Sequence, residues 1–168
     1  VSSSLSMLED EKEAITKQMQ HLQKLQKNVE HRLNTIHSAF SLPLDEIHLM
    51  TLPPRHCHRL FEGYKHEEEM DFLMKQLINL NQNRLYIIGS NQMGTMISLP
   101  SLLKKKTLSY QSVFLIDEEG ADLIDGGDYL CVTYRGNYEQ SAYWGQQLAQ
   151  YAHAHKFKIR GDLLEILW

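Results

Sequence analysis

Glu165 is the residue whose chemistry stands out, because it is a lone carboxylate among Leu163, Leu164, Ile166 and Leu167. A strand packed on both faces excludes a charge unless something pairs with it. The residues alone leave two readings open. On an alternating strand Glu165 points to solvent, and this is the simpler expectation. In the other reading it is a counter-charge at the floor of a pocket, with Tyr129, Tyr134, Tyr138, Tyr143 and Trp144 supplying aromatic walls suited to a cation. Other polar groupings offer less. His56, Cys57 and His58 are adjacent on an extended stretch, so their side chains alternate between faces and do not converge on one ion. Glu67, Glu68, Glu69 and Asp71 crowd the first turns of a helix, where capping and the helix dipole account for them before acid–base catalysis does. No GxxxxGKS or GxxxxGKT loop, GxGxxG turn, GxSxG elbow or HExxH helix occurs in the chain,. These patterns assign no catalytic residue, no metal and no cofactor.

The elements around Glu165 can be read from spacing. Gly126 and Gly127 form a hairpin turn that feeds a strand running from Asp128 to Arg135, and Gly136 ends it. Tyr138 to His155 has helical spacing, with His153 and His155 near the end where positive charge is favoured. Leu163 onward is a last apolar strand. This strand-helix-strand order repeats an earlier one: a strand crossing Pro53 and Pro54 between Asp45 and Phe61, a helix from His66 to Asn81, and a strand from Leu85 to Gly89. The first helix carries Met70, Leu73, Met74, Leu77 and Leu80 on one stripe. Ser90 to Pro100 reads as a loop or irregular strand, Lys104 to Lys106 as a solvated loop, Gln111 to Asp117 as a strand and Glu118 to Asp122 as an acidic turn. Two such units in tandem predict an α+β domain whose antiparallel strands form one curved sheet with both helices on one side.

Upstream lies a long helix. Leu8, Ile15, Leu22, Val29 and Ile36 recur every seven residues, and Leu5, Met19, Leu33 and Phe40 fill four of the alternate slots,. Lys12 and Gln26 take the remaining two, where long side chains can snorkel to water. A strict seven-residue repeat flanked by Lys, Glu and Gln points to a coiled coil, so the helix is expected to pair with a second copy. Pro43 ends it. Residues 1–41 therefore form a dimerisation helix and residues 44–168 a separate domain.

Composition narrows the class. With 168 residues, 42% hydrophobic and 23% charged, the chain suits one soluble domain plus an accessory element,. A net charge of −4 argues against nucleic-acid binding by this chain's own field,. Cys57 and Cys131 lack metal spacing and read as free thiols in a reducing compartment, hence the cytoplasm. No apolar run spans a bilayer. A start at Val1 and an end at Trp168 inside an apolar run are expected of a piece of a longer protein.

A heptad helix followed by two strand-helix-strand units resembles the dimerisation helix and effector-binding domain of MerR-type transcription regulators, and more narrowly the multidrug-responsive branch with a GyrI-like sensor. The stretches that carry this likeness are Gly127-Asp128-Tyr129-Leu130-Cys131-Val132-Thr133-Tyr134-Arg135-Gly136-Asn137-Tyr138, the closing Leu164-Glu165-Ile166-Leu167 and, less specifically, His21 to Lys27. The resemblance implies homodimers paired through antiparallel helices, an upstream winged helix-turn-helix that contacts promoter DNA, and an indirect effect on RNA polymerase. It also implies a lipophilic, cationic effector held by Glu165, with Tyr64, Tyr138 and Tyr143 matching the family's pocket aromatics best. On this reading Glu165 turns inward, and the domain continues past Trp168 with a further acidic loop and strand. Two alternatives stay open under the same resemblance: a hydrolase of small reactive electrophiles using Glu165 as general base near Tyr138, and a module that inhibits a protein partner.

Overall fold

The computed structural model describes residues 2–61, 63, 67–80, 92–105 and 108–167, of which residues 2, 67, 78, 80, 105 and 138 are described by their backbone alone. Helix α1 runs Ser2–Ser41 without Gly or Pro, roughly 60 Å at 1.5 Å per residue. Residues 3–24 are exposed throughout. Further along, Leu25, Val29, Arg32, Ile36 and Ala39 are partly or fully covered, a stripe that advances by alternating fours and threes,. Lys24 pairs with Glu119 where α1 meets the rest of the protein.

After α1 come β1 (His48–Leu52), β2 (Arg55–Leu60), α2 (Glu67–Leu80), β3 (Met93–Ile97), α3 (Leu99–Lys105), β4 (Tyr110–Ile116), β5 (Asp122–Ile124), β6 (Gly127–Cys131), α4 (Tyr138–Ala154) and β7 (Leu163–Leu167). The described strands form two antiparallel sheets, β1-β6 and β5-β2-β4-β3-β7. The single curved sheet expected from the sequence is thereby corrected. Its cause is the proline pair. Leu52 stands opposite Gly127 and Arg55 opposite Ile124, so one register runs through both sheets and is interrupted only where Pro53 and Pro54 face Asp125 and Gly126. Prolines lack the ladder donors, and a Cβ on Gly126 would collide with the Pro54 ring. The two glycines thus form no hairpin turn; they carry the return strand across the same crease.

Two further expectations are revised. Ser90 to Pro100 is no loop over its described part: Met93–Ile97 is a strand between β4 and β7, irregular only in a register shift against β4 between Met96 and Ile97, and Leu99 and Pro100 open α3. Lys104 and Lys105 belong to α3, which starts after Ser98, whose hydroxyl accepts from Ser101 N–H at 3.4 Å, while Asp162 accepts from Leu99 N–H at 3.2 Å,. The expected strand at Leu85 to Gly89 lies outside the described residues.

Central strand β4 is buried on both faces. On one face Leu60, Met93, Ile97, Val113, Leu115 and Leu163 pack with Leu73, Met74 and Leu77 of α2. On the other, Cys57, Phe114 and Ile124 pack with Met96, Ile116, Leu164 and Ile166. Residues paired directly across an antiparallel ladder share a face, and Thr95 pairs with both Val113 and Glu165. Glu165 therefore lies on the α2 face of the sheet. No described helix is long and apolar enough to cross a membrane.

Candidate functional site

Helix α4 and its flanks bring the site together. Its N-cap is Asn137, whose side chain accepts from Glu139 N–H at 3.2 Å,. At the other end Phe157 N–H donates to Ala152 O at 2.8 Å and Lys156 N–H to His153 O at 3.1 Å, with Lys156 in the left-handed region at φ 59°. That is a Schellman ending, and it turns the chain back toward β7. Along α4, Ser141, Gly145, Leu148 and Ala152 form the covered stripe. Ser141 is the one hydroxyl on it.

Strand β6 stops at Cys131, earlier than the expected run to Arg135, because the chain then leaves the two-stranded sheet. Thr133 makes a parallel bridge with Leu44, and Asp45 N–H donates to Thr133 O at 2.8 Å. Tyr134 follows. Its phenol donates to Glu165 Oε1 at 2.5 Å and lies 2.9 Å from Ser141 Oγ. Ser141 Oγ also donates to Glu165 Oε1. Three oxygens thus form a triangle to which the two residues' hydroxyls bring only two hydrogens, so one edge lacks a hydrogen whenever Glu165 is ionised. Burial pushes the Tyr134 phenol well above the ordinary tyrosine range, and the hydrogen bond to Glu165 adds to the rise,.

Glu165 is half-buried, which corrects the simple solvent-facing alternative. Its described donors are both neutral, both reach Oε1, and no described Lys, Arg or His forms an ion pair with it. Strand β7 reaches this position because of Gly94. A Cβ there would run into Glu165 O on one side and the Phe114 ring on the other, so only glycine lets β3 approach β7 this closely.

The aromatic candidates separate. Trp144 stacks on Tyr134 with centroids 6.3 Å apart and planes at 24°, and Tyr143 meets Trp144 edge-on at 5.1 Å. Tyr143 is 55% exposed and so stands at the rim. Tyr129 is away from Glu165; its hydroxyl donates to Asp125 O at the crease, which removes it from the wall. Tyr138 opens α4, but its side chain, like the whole of Tyr64, lies outside the described residues. Of the coiled-coil positions, Leu8, Ile15 and Leu22 are 63%, 51% and 61% exposed. Val29 and Ile36 are partly covered by the rest of the chain.

Elsewhere, His58 Nε2 lies 3.3 Å from Asp117 Oδ2 and His56 Nδ1 3.2 Å from Gly120 O. Among the described residues no group of three or more His, Cys, Asp or Glu is placed to hold a metal ion. Both thiols are free.

Two site residues were not singled out from the sequence. Ser141 carried a signal, as the polar member of an otherwise small and apolar helical stripe. Thr95 carries none, because Gly94 and the flanking methionines give its strand a weak pattern that does not align it with Glu165. The sequence matches no protein-family profile and no curated protein.

Proposed function

We propose that this chain is the effector-sensing and dimerising part of a MerR-type transcription regulator, with a GyrI-like sensor that takes a lipophilic aromatic cation at Glu165. One observation carries the reading: a half-buried carboxylate is held by two neutral hydroxyls and meets no cationic partner among the described residues. A carboxylate partly removed from water and lacking a counter-ion favours a cation strongly, since the pairing recovers the solvation both have lost. Tyr134 bonds to it, and Trp144 and Tyr143 continue from that ring as an aromatic run that favours flat, delocalised charge,. Charge and stacking need little shape matching, so several effectors fit one site.

The exposed Leu8, Ile15 and Leu22 support pairing of α1 with a second copy. Residues 1–41 then serve dimerisation and 44–168 sensing, in a cytoplasmic regulator. Promoter DNA and RNA polymerase are reached through an upstream DNA-binding domain. Glu165 binds in this reading and does not catalyse.

The test is calorimetric titration with lipophilic cations and neutral aromatics of matched size, for the wild type and Glu165→Gln. Cations should weaken by about ten- to a hundredfold in the variant, the range of a charged hydrogen-bonded contact. Neutral compounds should change by less than about threefold on the same scale. Equal losses for both classes would remove Glu165 as counter-charge.

A further inference from the structure

Thr95 is fully buried at 0% exposure, yet its Oγ1 has no hydrogen-bond partner. Most buried hydroxyls are paired, and an orphan one costs stability unless something else uses it. Its place in the fold suggests the user. Thr95 is the ladder partner of Glu165 on the same face of the sheet, and side chains so paired have Cβ atoms about 5 Å apart. Glu165 meanwhile spends Oε1 on Tyr134 and Ser141, leaving Oε2 without a hydrogen bond from any described residue. Two residues with spare acceptor capacity thus stand side by side on one face of the sheet, one charged and one neutral.

We propose that this pair selects the head group of the effector. An ammonium bearing at least two N–H groups, or an amidinium, donates one hydrogen to Glu165 Oε2 and another to Thr95 Oγ1. Glu165 is the partly exposed member of the pair, and the ammonium reaches Thr95 by displacing the side chains that cover it. A quaternary ammonium carries the same charge with no hydrogen to donate, and its methyl groups hold the nitrogen away from both oxygens, so the Thr95 hydroxyl stays unsatisfied. Thr95 is then the specificity residue, while the aromatic rings serve both kinds of cation alike. The inference rests on the cation reading of Glu165 and adds to it a preference among cations.

The deciding experiment compares protonated naphthylmethylamine with its N-trimethylated analogue by calorimetry on the intact chain. Wild type should bind the primary ammonium about a hundredfold more tightly, the worth of two charge-assisted hydrogen bonds. Thr95→Val, which keeps shape and β-branching, should cut that preference to about tenfold by weakening the primary ammonium alone, the remainder being the hydrogen bond to Glu165. Thr95→Ser restores the hydroxyl and should keep the full preference. Equal affinity of both compounds for the wild type, or a preference undiminished in Thr95→Val, overturns the role of Thr95 while leaving the cation site standing. Binding of neither compound overturns both readings.

Discussion

Tyr134 and Glu165 lie on opposite sides of α4 in the chain, and the phenol of one meets the carboxylate of the other at 2.5 Å. Ser141, on α4 itself, closes the triangle. One polar knot therefore fastens the loop before the helix, the helix and the strand after it. Apolar packing around α4 sets the general fit, and the knot sets its position along β7.

Removing the middle of the knot should be costly. Ser141 is 3% exposed and serves both other members, so Ser141→Ala leaves Glu165 with a single donor. A loss of about 1–3 kcal/mol is expected, as for an under-satisfied buried polar group. Urea unfolding checks it. A midpoint unchanged from wild type would mean that the knot does not hold α4 in place.

The same knot sets a pH limit. Tyr134 ionises less readily in the folded protein than in the unfolded chain, chiefly through burial and then through its bond to Glu165. Its contribution to stability is thus complete below the unfolded tyrosine pKa of about 10 and is lost as the pH rises beyond it, because the unfolded chain releases a proton that the fold retains. Unfolding free energy should fall more steeply above that pH for the wild type than for Tyr134→Phe. Parallel curves for the two proteins would contradict the assignment.

Gly94 admits no side chain without moving β7 or the Phe114 ring. Gly94→Ala should destabilise by about 1–3 kcal/mol, the usual cost of overpacking a core. Part of this should return in the double variant Gly94→Ala, Phe114→Leu, where the ring is gone. Thermal melts of the two variants separate the ring's share from that of the backbone at Glu165.

Ile15 sits mid-way along the uncovered part of α1 at 51% exposure. Ile15→Glu should leave the melting of the sheet domain unchanged while turning a sedimenting dimer into a monomer, since a charge in a coiled-coil core slot opposes pairing. A monomeric wild type at high concentration would remove dimerisation through this face.

How far the sequence spoke depended on the kind of signal. α1, α2 and α4 were legible because periodicity survives whatever the helix packs against, and the ends of α4 lie within a residue of expectation. Pro53 and Pro54 announced an interruption, but not that a ladder would cross it in register and emerge in another sheet; that depends on Gly126 opposite. β3 was hidden because Gly94 and two methionines make a weak strand pattern, and the fit to Phe114 that requires the glycine is tertiary. Glu165 was visible as an anomaly. Its partners were not, since Ser141 and Thr95 are ordinary in type and acquire meaning only from the face on which α4 and β3 present them.

The unbroken register across the crease also bears on how the chain assembles. β1 and β2 together pair with β6 and β5, and α2, β3, α3 and β4 all lie in the segment that this ribbon encloses. Closing a loop of that length costs more entropy than forming the β3–β4 pair inside it. Early order is therefore expected at β3–β4, with the ribbon and its crease closing late; pulse-labelled amides protected first in β1 and β6 would reverse that sequence. The proline pair then acts on time as well as shape: it divides a long closure into two shorter zippers that share one register, so whichever half forms first fixes the alignment of the other.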